Sequence, residues 1–163
     1  MYTNVLQGTS LKVNVHWSGI SDRNDEKFYW NRVLYAYLHP VTNVILNIGK
    51  AFYQTVQERF DDESKLSFWE WANRNGVTKV RVLVGVVETN SNRLTDQMVS
   101  DVESLLIHRI KPRGNVQNVL SRSLSRPGMK VLCYGRDWPL VQRLFEDLSV
   151  APPLAFRLPS PEW

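Results

Sequence analysis

The chain has 163 residues, of which 43% are hydrophobic and 11% aromatic, so it can bury a core of its own as a single domain over residues 1–163. Its 20 Lys and Arg exceed its 16 Asp and Glu, a mildly basic balance that permits nucleic-acid binding without requiring it. The single cysteine, Cys133, excludes an intrachain disulfide, and no apolar run or leader has the pattern of a membrane span or signal peptide. We therefore expect an intracellular, cytoplasmic protein.

The first predicted elements are strands. Residues 11–17 alternate apolar and polar side chains, the pattern of a half-buried strand in an antiparallel sheet. Residues 33–38 are β-branched and aromatic, and residues 44–48 form a second apolar run after a stretch with turn chemistry. These two runs are expected to form a hairpin. Because side chains alternate along a strand, Tyr35 and Tyr37 should lie on the same face.

Three segments carry the start signals of helices. Glu58 follows Thr55 by three residues, which is the spacing of a capping box. Ser67 and Glu70 repeat that spacing. Thr95 stands before the most regularly periodic stretch of the chain. Helices are therefore predicted at residues 54–60, 67–75 and 95–110.

The remaining segments alternate between strand, loop and helix patterns. Residues 79–87 are apolar at nearly every position, which predicts a central strand covered on both faces. Residues 109–126 form a loop rich in Arg, Asn and Ser, and residues 129–134 are predicted as another strand. A helix is expected at 139–148, which has a proline in its first turn. Four prolines predict an extended tail at 151–163.

A series of short motifs runs from the first hairpin to the loop after the longest helix. In chain order they are Val33-Leu34-Tyr35, Asn47-Ile48-Gly49-Lys50-Ala51, Arg59, Glu103, Pro112 and Asn118. Their order and spacing resemble the GIY-YIG nuclease family over about residues 33–118. The resemblance implies an α+β fold with a small antiparallel three-stranded central sheet flanked by helices. An extra N-terminal strand and a C-terminal strand and helix would extend that core.

The resemblance also implies an activity. It is that of an endonuclease which uses a divalent metal ion, Mg²⁺ or Mn²⁺, to hydrolyse DNA phosphodiester bonds with water as the nucleophile. Glu103 corresponds to the metal-binding glutamate of the family, and Arg59 to the arginine that contacts the scissile phosphate. Glu103 also interrupts the apolar arc of helix 95–110, where an unpaired carboxylate is costly. A structural ion pair with Arg59 or Arg109 is the alternative explanation.

The tyrosine of the site has two candidates. The VLY motif favours Tyr35, the neighbouring YAY sequence favours Tyr37, and packing in the core is the alternative for both. A phenol beside a metal-bound water can orient that water, or accept its proton if the phenol pKa falls from about 10. Asn47 replaces the second tyrosine of the family, and an amide can hydrogen-bond a phosphate but cannot act as a base. Either Tyr35 suffices, with Lys50 or His39 assisting, or the site is weakened.

Further candidates would hold phosphate groups. Lys50 can donate to a phosphate as a point charge, and Asn118 corresponds to the late asparagine of the family, with Asn115 as the alternative. The loop after the longest helix carries three cations expected to bind the DNA backbone: Arg113, Arg122 and Arg126. A protein of the same fold that binds nucleic acid without cutting it is the competing hypothesis. A protein-interaction module without nucleic acid is the third.

Overall fold

The computed structural model describes residues 11–62, 65–90, 93–115 and 128–148. Within these ranges the strands are β1 (Lys12–Gly19), β2 (Val33–Leu38), β3 (Ile45–Ala51), β4 (Arg81–Thr89), β5 (Lys130–Tyr134) and β6 (Leu144–Glu146). The helices are α1 (Val56–Phe60), α2 (Leu66–Arg74) and α3 (Asp96–Ile110), and Glu26–Tyr29 is a 3₁₀ turn. The predicted tail at 151–163 and most of the predicted loop at 109–126 lie outside the described residues.

All six strands belong to one mixed sheet, strongly curled into a half-barrel, in the order β3-β2-β4-β1-β5-β6. Neighbouring strands are antiparallel except β1 and β5, which run parallel. The predicted small three-stranded sheet is therefore wrong, and so is the purely antiparallel pairing of the first strand. The physical reason lies in β1, which buries Val13, Val15 and Trp17 as an interior strand with a partner on each side.

The elements from β2 to α3 follow one another as strand, strand, helix, helix, strand, helix. Their three strands are neighbours in the sheet, with β2 between β3 and β4. The strand β4, predicted to be central, has β2 on one side and β1 on the other. The departure from the expected fold therefore lies in β1, β5 and β6, which continue the same sheet beyond β4. At the opposite end, β3 forms one edge of the sheet.

The pairing of β2 with β3 contains a bulge. Leu38 lies opposite Ile45, whereas Tyr37 lies opposite Asn47, so Leu46 is an extra residue in the edge strand. An extra residue changes which face the following side chains occupy. Asn47 therefore comes onto the face of the sheet that carries Tyr37.

The two faces of the sheet bury separate clusters of side chains. On one face lies α3, which contacts β2, β3 and β6, and we call the cluster on this face the α3 face. It includes Val15, Trp17, Leu34, Ala36, Val99, Val102, Leu105, Leu106 and Ile107. On the other face lies a cluster rich in rings, which we call the aromatic face. It includes Phe28, Tyr35, Tyr37, Val56, Phe68 and Ala72, with Phe60, Trp69 and Trp71 packed around it.

The local capping signals are confirmed at two helices and wrong at the third. Thr55 and Thr95 each accept a hydrogen bond from a backbone N–H in the first turn, of α1 and α3 respectively. Helix α2 begins after Lys65, which makes no side-chain cap, so Ser67 and Glu70 do not form the predicted capping box. None of the helices in the described part of the chain is long and apolar enough to cross a membrane.

The predicted helix at 139–148 is wrong, because part of this segment forms β6 and pairs antiparallel with β5. A helix would have buried Leu140, Leu144 and Leu148 on one side. Leu144 and Leu148 are exposed instead, and Phe145 is buried. A single buried ring between outward-facing neighbours is the pattern of a short strand, and this strand covers the outer side of β5.

Candidate functional site

A cleft of about 370 Å³ lies where the edge strand β3 runs into α1 and passes α3. It is lined by Lys50, Phe52, Tyr53, Gln54, Arg59, Asp96 and Glu103. Three of the predicted site residues, Lys50, Arg59 and Glu103, therefore line one cleft although they come from a strand and two different helices. The edge position of β3 explains this, because side chains from both layers of helices can meet around an edge strand.

Glu103 reaches the cleft from the middle of α3. Burial raises the pKa of its carboxyl group, and the nearby cations Lys50, Lys65 and Arg59 oppose this shift, as does the backbone N–H of Lys50. The net direction means that desolvation outweighs these attractions. Arg109, the other proposed ion-pair partner, is exposed. Glu103 is thus a half-buried carboxylate in a cationic environment.

Lys50 is already engaged by α3. Its ammonium group lies 2.7 Å from a carboxylate oxygen of Asp96 and also donates to the hydroxyl of Ser100. Both partners stand in the first turns of α3, so this lysine ties the start of the helix to the edge strand. To contact a phosphate directly, Lys50 would have to share its protons with or leave Asp96, and this limits the role predicted for it.

Arg59 lies on α1 and is about three-quarters buried, with a side-chain exposure of 27%. One guanidinium nitrogen lies 3.4 Å from a carboxylate oxygen of Asp62. The guanidinium opposes the upward pKa shifts of Glu103 and of Tyr35. Arg59 is therefore electrostatically coupled to both of those predicted site residues.

The two tyrosines of β2 have different surroundings. The ring of Tyr35 covers Gly49 so closely that a Cβ atom at that glycine would lie 2.2 Å from the phenol oxygen. Tyr37 is instead enclosed by rings, with Phe60, Phe68 and Trp69 at centroid distances of 5.4–5.6 Å. Burial raises the pKa of Tyr35, and the charge of Arg59 works against this shift whereas the charge of Glu103 adds to it. Of the two candidates, Tyr35 is thus the one coupled to both charged groups, although neither tyrosine belongs to the cleft lining.

Both phenols are fully buried, and neither hydroxyl has a hydrogen-bond partner in the described part of the chain. Burial raises the pKa of Tyr35, which the Arg59 guanidinium opposes, and burial also raises the pKa of Tyr37. A phenol whose pKa is raised stays protonated at neutral pH and does not accept a proton readily. The raised pKa therefore argues against the predicted role of Tyr35 as a base, and the burial of both rings favours the alternative of packing in the core.

Asn47 is buried and holds a residue that the sequence does not single out, Lys65. The Lys65 ammonium donates to the Asn47 side-chain oxygen at 3.2 Å, and the Asn47 amide nitrogen is 3.5 Å from the carbonyl oxygen of Gly114. The same ammonium lies 5.1 Å from the ring centroid of Tyr35. Burial, followed by Arg59, lowers the pKa of Lys65 to about 8. A lysine in a charged stretch before a helix carries no local signal of this position.

The chain after α3 covers part of the free edge of β3. Gly114 donates its backbone N–H to the carbonyl of Leu46 at 2.7 Å. The Asn115 side chain donates to the carbonyl of Ile48 and accepts from its N–H, both at 2.9 Å. Asn115, the alternative to Asn118, thus replaces a neighbouring strand for one residue. Arg113 is exposed, whereas the predicted residues Asn118, Arg122 and Arg126 lie outside the described ranges.

The implied metal ion would need carboxylate ligands in the cleft. Nowhere in the described ranges do three His, Cys, Asp or Glu side chains come together as a metal-binding group. Mg²⁺ commonly takes one or two carboxylates and completes its shell with water and phosphate oxygens. Glu103 and Asp96 provide two such carboxylates in one cleft. Asp96 is already paired with Lys50, so Glu103 is the carboxylate that fits a divalent ion which arrives with a phosphate. The negative charge of that phosphate would offset Lys50, Lys65 and Arg59.

Comparison of the chain with protein-family models, with curated proteins and with solved structures finds no significant match. The resemblance to the GIY-YIG nucleases therefore rests on the motifs of this sequence. The arrangement of Lys50, Arg59 and Glu103 around one cleft is a separate observation, made on the fold itself.

Proposed function

We propose that this protein is a divalent-metal-dependent endonuclease that hydrolyses DNA phosphodiester bonds with water as the nucleophile. The observation that carries the proposal is that Lys50, Arg59 and Glu103 line one cleft. Cationic donors and a carboxylate together suit a reaction in which charge develops on phosphate oxygens.

Each side chain has a role that its surroundings allow. The Arg59 guanidinium, a permanently charged planar fork, would bind two oxygens of the scissile phosphate. The Tyr35 hydroxyl, which is neutral and buried behind the cleft lining, would have to be uncovered before it could orient the attacking water. Glu103 would hold Mg²⁺ or Mn²⁺. Such an ion, when bound, neutralises charge on the phosphate and on the leaving oxygen.

One observation favours the competing hypothesis of a DNA-binding protein that does not cut. Asn47 stands where the related nucleases have a second tyrosine, and its amide is occupied by Lys65 and Gly114. If a second phenol is needed for activity, the cleft would bind a phosphate and leave the bond intact. The two hypotheses share the binding step and differ only in cleavage.

Cleavage assays on Glu103→Gln test the proposal. Supercoiled plasmid and single-stranded DNA would be incubated with Mg²⁺, Mn²⁺ or EDTA. We expect metal-dependent nicking by the parent protein, and a loss on the order of a thousandfold in Glu103→Gln, comparable to loss of a strong electrostatic stabiliser. Glu70→Gln, a change of the same kind at an exposed position of α2, is the matched control and should cut normally.

The melting temperature of Glu103→Gln separates a functional from a structural glutamate. Because burial raises the pKa of Glu103, its favourable contribution is present below the ordinary pKa and is lost as the pH rises through the folded-state value. Glutamine mimics the neutral form, so the variant should melt no lower than the parent at neutral pH. A variant that unfolds early yet still cuts would refute the metal-ligand role. DNA binding by the parent without any cleavage would support the competing hypothesis instead.

A further inference from the structure

We propose that the cleft accepts an unpaired nucleotide, whose base stacks on the ring of Tyr53, so that the substrate is single-stranded DNA or the single-stranded part of a branched DNA. This inference rests on the proposed function, because it names the substrate class of the same cleft. It does not follow from the motifs, none of which includes Tyr53.

The first supporting observation is the exposure of Tyr53. Its side chain is 82% exposed, although it lines the same cleft as Lys50, Arg59 and Glu103. A single exposed aromatic side chain is common on a protein surface. One that stands beside phosphate-binding side chains is placed where the base attached to a bound phosphate would lie.

The second observation is that the ring is supported from its own side of the protein. Phe52, partly buried against the α3 face, meets the Tyr53 ring edge to face at a centroid distance of 5.0 Å. The guanidinium of Arg32 lies 5.2 Å from the centre of the Phe52 ring, and it also donates to the carbonyl of Leu94 at 2.9 Å. The Tyr53 ring is therefore supported on its protein side by the Phe52 ring.

The third observation is backbone strain at the outermost part of this support. Arg32 has a φ of 60°, in the left-handed region that residues other than glycine rarely adopt. Residues held in such conformations persist when their surroundings fix them, and they concentrate at binding sites. The strain at Arg32 accompanies the position of its guanidinium over the Phe52 ring, whereas the Tyr53 side chain stays 82% exposed.

These observations favour unpaired over paired DNA for a geometric reason. In a duplex both faces of each base are covered by neighbouring bases, so a protein ring can stack on a base only where the base is unpaired or turned out. An aromatic platform next to cationic side chains is the arrangement by which proteins hold single strands with little sequence preference. The cleft thus combines a place for the phosphate with a place for its base.

Binding measured in EDTA tests the inference without cleavage. A fluorescein-labelled thymidine oligonucleotide and a duplex of the same length would be titrated with the parent, with Tyr53→Ala and with Tyr53→Phe. We expect the parent to prefer the single strand, and Tyr53→Ala to weaken single-strand binding by about fivefold to a hundredfold, the usual effect of removing one stacking ring. Tyr53→Phe keeps the ring and should bind like the parent. Tyr29→Ala, at a tyrosine that is 53% exposed but not part of the cleft lining, is the control for loss of an exposed ring.

A stacking probe makes the result specific. An oligonucleotide containing 2-aminopurine should lose fluorescence when it binds the parent and Tyr53→Phe, but lose less with Tyr53→Ala. Equal affinity of the parent for single strand and duplex would overturn the inference, and so would an equal loss of both in Tyr53→Ala. Cleavage in Mg²⁺ is scored separately. A protein that cuts but shows no effect of Tyr53 refutes only this inference, whereas one that stacks a base but never cuts refutes only the proposed nuclease activity.

Discussion

On the α3 face the sheet meets the aliphatic side chains of a helix, and the rings of Trp17, Trp138 and Phe145 belong to the same cluster. On the aromatic face the sheet meets α1 and α2 mainly through rings, with polar groups among them. Leu105 and Ile107 are typical of the first face. The second contains the hydroxyls of Tyr35 and Tyr37 without partners among the described residues, together with the Asn47 amide and the Lys65 ammonium.

The difference indicates how stability and chemistry are divided between the faces. Removing apolar surface from water on the α3 face stabilises the fold, although the indole N–H of Trp17 is buried there as well. Burying a hydroxyl or an ammonium without full compensation destabilises it by about 1–3 kcal/mol for each group. The cleft lies at β3, where side chains from both faces meet, so the polar residues are placed at the boundary of the well-packed layer.

The largest expected effect on stability is at the α3 face. Leu105 is fully buried, so Leu105→Ala should lower the free energy of unfolding by about 2–5 kcal/mol through lost burial and the cavity left behind. Leu66→Ala, the same change at a leucine that is 58% exposed, should alter it by less than about 0.5 kcal/mol. Urea denaturation of both variants measures the contrast. Equal effects would mean that the α3 face is not the stabilising layer.

A smaller effect is expected where the Tyr35 ring covers the edge strand. In Gly49→Ala the new methyl group would overlap the Tyr35 phenol, so the ring must move, at a cost of about 1–3 kcal/mol for overpacking. In a Tyr35→Leu background the ring is absent, and the same substitution should cost clearly less. A double-mutant cycle by thermal or urea unfolding measures this coupling. An unchanged cost in the Tyr35→Leu background would rule out contact between ring and glycine as its origin.

The smallest effect at neutral pH is a pH dependence caused by Lys65, because it is confined to alkaline pH. Burial and Arg59 lower its pKa to about 8, against the opposing charges of Glu103 and Asp62. The unfolded chain then binds more protons than the fold between about pH 8 and the ordinary lysine pKa, so stability should rise with pH in that window, by up to about 1.4 kcal/mol per pH unit. Lys65→Met lacks this group and should show a flatter profile. Parallel profiles for the two proteins would show that Lys65 is not desolvated.

The features that the sequence predicts well depend on residues that are close together in the chain. Thr55 and Thr95 cap helices through atoms three residues away, so their signals lie within one turn. Glu103 and Arg59 could be selected because a motif order brings them together and because one of them interrupts an apolar helix face. Each of these inferences uses residues that are close in the chain or related by a fixed pattern.

What the sequence predicts poorly depends on partners that are distant in the chain. The segment that contains Phe145 has a proline and leucines suited to a helix, but β5 needs an outer neighbour, and that requirement overrides the local preference. No sequence pattern near Leu46 predicts the bulge that places Asn47 on the same face as Lys65. The number of strands in the sheet was likewise wrong, because pairing on both sides of β1 is a property of the whole fold.

The parallel pairing of β1 with β5 has a consequence for how the chain folds. In β1, Val13 lies opposite Thr89 of β4. Val15 lies opposite Val87 of β4 on one side and opposite Cys133 of β5 on the other. During synthesis β1 emerges early, yet it cannot complete its pairing until most of the chain has followed. Contacts so distant in sequence slow folding, and the apolar residues of β1 stay exposed to association with other chains in the meantime. We therefore expect newly made chains to be most prone to aggregate before β5 has paired with β1.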